Sequence, residues 1–134
     1  MLKAIPAICA LAILSIAAAC TPEAQITTGA GDYAQYCATC HGPAGKGNGP
    51  ASQGLTPRPT DLTLLARKNG GTFPRLRVMS RIDGYTMGKS ESPMPAFGDL
   101  LEGKTVMYDA GDGIETPTPW RLVALAEYVE KMQK

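Results

Sequence analysis

Cys37, Cys40 and His41 stand together as Cys37-Ala38-Thr39-Cys40-His41, and this order has a specific chemical use. Two thiols separated by two residues can form thioether bonds to the two vinyl groups on one edge of a porphyrin. The residue after the second thiol then lies beneath the iron and offers an imidazole nitrogen. The pattern reads as a c-type haem attachment site. His41 is the only histidine in the chain, so no other imidazole competes for that position. Other uses of the triplet fit less well. Structural zinc takes four ligands, and the only further cysteines, Cys9 and Cys20, lie near the N-terminus. A thioredoxin-like dithiol needs a βαβ context that the pattern lacks.

The second axial ligand decides what such an iron does. An open site binds small ligands, whereas a closed six-coordinate site passes electrons. With one histidine, His–His ligation within the chain is excluded, and a methionine thioether is the substitute. Met79 and Met132 fall on apolar helical stripes and Met107 in a short apolar run, so all three read as core. Met94 lies in Ser92-Pro93-Met94-Pro95-Ala96-Phe97-Gly98, where flanking prolines hold the backbone extended. A stiff loop suits the presentation of one sulfur to a metal, and Met94 is the leading candidate. Met87, in a glycine-flanked loop, is second.

The elements that must position these groups can be read from periodicity and punctuation. Asp32 to Thr39 reads as a helix running into the motif, with Tyr33 and Tyr36 on its apolar side. Gly42 to Pro59 is too rich in Gly and Pro for any regular element. It lacks the Gly-Lys-Ser/Thr ending and preceding strand of a phosphate loop. Thr60 or Asp61 caps a short helix ending before Gly70-Gly71. Thr72 is the expected cap of a second, in which Phe73, Leu76, Met79 and Ile82 recur at helical spacing before Gly84. Leu100 to Glu115 is ambiguous, with Val106-Met107-Tyr108 as a possible strand before a turn at Gly111-Asp112-Gly113. The last helix carries Leu122, Leu125, Val129 and Met132 on one stripe. Thr118 is its expected N-cap, Pro119 its first residue, and Glu130–Lys134 one of its i,i+4 pairs.

The 134 residues suffice for one small domain, and aromatics are scarce at 6%. A covalent haem would supply the apolar centre that such a composition lacks. A net charge of +1 points to no nucleic-acid partner. Residues 1–19 pair an early Lys3 with the apolar run Ala4 to Ala19, the pattern of a secretory signal. Ala17-Ala18-Ala19-Cys20 resembles a bacterial lipobox, although Ala17 stands where Leu is usual. Lipidation at Cys20 is the favoured reading. Cleavage to a soluble protein and an uncleaved anchor of near the ~20 residues that span a bilayer are the alternatives. Each places the domain outside the cytoplasm. Residues 20–28 then form a tether and 29–134 the domain.

Taken together, these residues resemble the class I (mitochondrial-type) cytochromes c, in particular small bacterial monohaem members. The resemblance runs from about residue 29 to about 133. It rests on Gly29-x-x-x-Tyr33-x-x-x-Cys37-x-x-Cys40-His41-Gly42, on Met94-Pro95-Ala96-Phe97, and on Trp120 to Tyr128. It implies an all-α fold: three to five short helices around one covalent haem, with N- and C-terminal helices crossing where Gly29 faces Tyr128 near Tyr33. It implies thioethers at Cys37 and Cys40 and axial iron ligands at His41 and Met94. It also implies a proline carbonyl against the other nitrogen of His41, with Pro57, Pro59 and Pro50 as candidates. Arg58 is read either as a propionate contact or as an exposed arginine. Gly103 to Thr116 is longer than in the simplest members and has no assigned role.

The expected function is electron transfer rather than enzymatic catalysis. A monomeric carrier, periplasmic and anchored through Cys20, would shuttle electrons between respiratory complexes by transient docking. The alternative is a haem c subunit of a larger dehydrogenase or oxidase. A ligand-binding sensor or weak peroxidase would need an open sixth site. A His–Met iron has a raised potential relative to His–His. Charge is also segregated: Arg58, Arg67, Lys68, Arg75, Arg77 and Arg81 form a basic stretch, and an acidic one runs from Asp83 to Glu115. That pattern is read either as steering for docking partners or as two solvated faces.

Overall fold

A computed structural model describes residues 29–85 and 92–134. The leader, the tether with Cys20, and Met87 lie outside the described residues. The first helical run begins before the expected Asp32. It consists of α1 (Gly29–Asp32), a π-helical turn (Tyr33–Cys37) and α2 (Ala38–His41), which ends on the motif. The π turn is closed by Ala38 N–H donating to Tyr33 O. The extra residue in this turn rotates the motif relative to Gly29 and Tyr33, and such turns recur at functional sites.

Two short segments follow the glycine-rich loop. A 3-10 turn at Leu62–Leu64 leads into α3 (Leu65–Lys68). Asp61 caps the turn, its Oδ1 accepting from Thr63 N–H at 2.9 Å and from Thr63 Oγ1 at 2.6 Å. Helix α4 (Arg75–Asp83) begins after Pro74, and Thr72 does not cap it. It buries Met79 and Ile82 but leaves Leu76 on the surface, so the expected stripe is narrower than its sequence spacing. Gly84, at φ 100°, ends it in the left-handed conformation. The short helix α5 (Gly98–Leu101) places Leu101 in the core.

The fold is helix-rich but not all-α. Strands β1 (Thr105–Asp109) and β2 (Glu115–Pro119) pair antiparallel, with Val106 opposite Thr118 and Tyr108 opposite Thr116. Pro117 and Pro119 hide this strand in the sequence. They share one parity, opposite Met107 and Thr105, so their missing N–H groups fall on the side away from the partner strand. Val106 and Tyr108 turn toward the core, whereas Met107 is 58% exposed and is not a core residue. Thr118 therefore belongs to β2, and its hydroxyl donates to Thr116 O instead of capping a helix.

Helix α6 (Trp120–Lys131) buries Leu122, Leu125 and Val129, with Met132 packed beside them. It crosses the N-terminal run at Gly29. A Cβ on Gly29 would lie 2.0 Å from Ala124 O, so only glycine allows this approach. Tyr33 and Tyr128 pack nearby with ring centroids 5.3 Å apart. Glu130 pairs with Arg75 of α4 rather than with Lys134. A second tie is bidentate: Arg121 Nε and Nη2 donate to the two carboxylate oxygens of fully buried Asp32, at 3.2 and 2.5 Å. Arg121 Nη1 also donates to Leu100 O at 2.7 Å, so one guanidinium joins α1, α5 and α6.

Candidate cofactor site

The end of the N-terminal helical run fixes the motif. Gly42, at φ 79°, turns the chain out of α2, and the following loop folds back over the helix end. Gly47 N–H donates to His41 O at 2.8 Å and Gly49 N–H to Cys40 O at 3.0 Å. Carbonyls that a helix terminus leaves unpaired are thus satisfied by the loop. The glycines that looked like punctuation in the sequence clamp the motif's backbone.

The segment after this loop sets the imidazole. His41 Nδ1 lies 2.9 Å from Thr60 O. The carbonyl is therefore neither of Pro57 or Pro59 nor of Pro50. In an extended chain successive carbonyls point to opposite sides, and that of Pro59 faces the loop: a Cβ on Gly47 would lie 2.2 Å from it. The next carbonyl, of Thr60, reaches the ring. A carbonyl only accepts, so Nδ1 carries the proton and the lone pair remains on Nε2. Burial lowers the His41 pKa and so favours the neutral form that ligates metals, while the Thr60 hydrogen bond offsets part of that shift. The same carbonyl orients the ring and raises its basicity.

Cys37, Cys40, His41 and Met94 all line one cavity of about 550 Å³. Leu55, Leu62, Leu65, Val78, Ile82 and Phe97 give it a largely apolar wall, while Arg58, Arg77 and Arg81 add cations. Burial, reinforced by Asp32 and Cys40, pushes the Cys37 thiol up to about 12. That is the opposite of the lowered pKa of a dithiol redox catalyst. Among the described residues no three His, Cys, Asp or Glu side chains converge to hold a metal ion, so the triplet is not arranged as a zinc site.

Met94 is held on the far side of the sequence by side chains. Its N–H donates to Ser92 Oγ at 3.3 Å, and its carbonyl accepts from Arg81 Nη2 at 3.3 Å. Phe97 N–H donates to Ile82 O at 2.8 Å, and Gly98 packs against Asp83 so closely that a Cβ would lie 2.7 Å from its carbonyl oxygen. The Met94 segment therefore rides on the C-terminal end of α4. Tyr36, from the motif helix, meets Phe97 with ring centroids 6.0 Å apart. The sequence offered no signal for Thr60, Arg81 or the Asp32–Arg121 pair, because each acts through tertiary proximity.

These residues fit a porphyrin: two thiols beside a neutral imidazole, one thioether, and an apolar cavity of the size that holds cofactors. The arrangement defines a c-type cytochrome domain. Residues 24–129 match the family described as cytochrome C oxidase, cbb3-type, subunit III, and the chain belongs to that family. Neither curated proteins nor solved structures gave a match. Membership makes the protein a haem-based electron carrier with covalently bound c-type haem.

Proposed function

We propose that the protein carries electrons with a single haem, attached at Cys37 and Cys40 and ligated by His41 and Met94, outside the cytoplasm. The observation that carries this reading is the convergence of those four side chains on one apolar cavity. When bound, the haem supplies an iron centre that takes up and releases one electron. Each protein group has a part in this. The two cysteine sulfurs fix the porphyrin covalently. Thr60 holds the His41 ring in the ligating tautomer. Met94 supplies a sulfur that favours the ferrous state and raises the potential relative to two histidines. The surrounding aliphatic residues exclude water. This suits a carrier that accepts from a quinol-oxidising complex and donates to a terminal oxidase or reductase through transient contacts. An optical redox titration with a haem assay tests it. One haem per chain and a single reversible one-electron step are expected; two haems per chain or two resolved steps contradict it.

Attachment to a membrane through a lipid on Cys20 completes the reading. Among the described residues no helix is long and apolar enough to cross a membrane. Metabolic labelling with a fatty-acid analogue tests this attachment: label on the wild type that is lost in Cys20→Ala is expected, and a wild type without label rules out the lipid. The family description favours a second reading, since it names a subunit of an oxidase. In that case the domain is a permanent part of a larger complex. Gel filtration after mild detergent extraction separates the two readings: a lone carrier elutes at the mass of one chain, and a subunit elutes with its partners.

A further inference from the structure

Pro93-Met94-Pro95 cannot be fixed by ordinary backbone pairing. Prolines have no N–H, so within these three residues Met94 has the only main-chain donor. That donor goes to Ser92 Oγ, a partner on the same short segment. The carbonyl of Met94 is the atom tied to another element, through the guanidinium of Arg81 on α4. Arg81 itself lines the cavity that contains His41 and Met94. Its backbone is secured in the last turn of α4, next to Ile82, whose carbonyl holds Phe97, and Asp83, against which Gly98 packs.

We infer that Arg81 is a positioning residue for Met94: its guanidinium grips the Met94 carbonyl and keeps the thioether in the cavity against competing ligands. The inference rests on the reading of Met94 as an axial ligand. The physical reason is local. Two prolines make the segment stiff, but stiffness alone does not stop it from swinging as a unit. A donor from the neighbouring helix removes that freedom, and a charged donor does so more strongly than a neutral one. Phe97 and Gly98 fix the segment beyond Met94, while Arg81 fixes it at Met94 itself. An Arg81 that serves only solubility or general docking would leave the sulfur's occupancy of its position unchanged.

The test uses the oxidised holoprotein and imidazole as a competing ligand. Losing a charge-assisted hydrogen bond to the ligand's own backbone is expected to tighten imidazole binding by roughly tenfold in Arg81→Gln. The long-wavelength sulfur-to-iron absorption band should weaken in parallel. Arg81→Lys, which keeps the charge but loses the planar fork, serves if the glutamine variant does not assemble, and the same two changes are expected there in smaller degree. Imidazole affinity within twofold of the wild type, with the band unchanged, overturns the inference whatever the change in thermal stability. Met94→Ala is measured alongside. If the band vanishes in Met94→Ala yet both readouts stay unchanged at position 81, only the role of Arg81 fails. If the band survives in Met94→Ala, the ligand reading itself fails.

Discussion

The site depends on backbone carbonyls as much as on side chains. Thr60 O fixes the tautomer of His41, and Gly42 O accepts from the hydroxyl of Tyr33 at 2.7 Å. The second bond pins the residue that follows the haem motif to the helix crossing. It also gives a pH signature. Burial first, then Cys37 (as a free thiol, before any thioether forms) and Tyr128, push the Tyr33 phenol from 10.0 up to about 12. In the window between those values the unfolded chain has released a proton that the folded chain keeps, so stability falls as pH rises through it. Below 10.0 both states are protonated and the contribution is constant. Tyr33→Phe should lose about 1 kcal/mol at neutral pH from the missing hydrogen bond. It should also show a shallower decline in its denaturation midpoint between about pH 10 and about pH 12 than the wild type. An equally steep decline in both proteins would remove Tyr33 as its source.

At the scale of elements, the N-terminal run, α5 and α6 meet on one guanidinium. Arg121 is bidentate to Asp32, which has no solvent exposure, and also holds Leu100 O. Removing the arginine leaves a buried carboxylate without its cation. Arg121→Ala should therefore destabilise the fold by about 3–5 kcal/mol, read from denaturant unfolding of the holoprotein. A loss near zero would show that the pair is solvated in solution. This pair was illegible in the sequence, because an aspartate and an arginine 89 positions apart give no local pattern. The motif helix, α4 and α6 were legible from their apolar spacing, and the short α3 region from its cap and the Gly70-Gly71 stop. The β1–β2 hairpin was half legible. Val106-Met107-Tyr108 has strand character, but Pro117 and Pro119 disguise its partner until the register shows both prolines facing away. The previously unassigned stretch thus packs Val106 and Tyr108 onto the core and leads directly into α6, with Trp120 N–H donating to Lys104 O. The four proposed haem-binding residues were legible because their chemistry is carried by residue type and spacing. What holds them, Thr60 and Arg81, was not, because it depends on where two distant backbones pass.

Over the whole molecule, charge and cofactor act together. The basic stretch places Arg58, Arg77 and Arg81 on the wall of the candidate cavity. The acids from Asp83 to Glu115 lie along a different part of the chain and include the exposed hairpin tip, where Asp109 accepts from the N–H groups of Gly111 and Gly113. If this polarity steers docking, the bimolecular electron-transfer rate with an acidic partner protein should fall by about tenfold or more as ionic strength rises from ~0.01 to ~0.15 M. A flat dependence would leave the segregation as two solvated faces. The central claim concerns the pairing of His41 with Met94 in one cavity. Absorption spectra of the oxidised wild type, Met94→Ala and Met87→Ala test it most directly. The long-wavelength sulfur-to-iron band is predicted in the wild type and in Met87→Ala, and its loss is predicted in Met94→Ala. A band that persists in Met94→Ala, or that disappears only in Met87→Ala, would contradict the account.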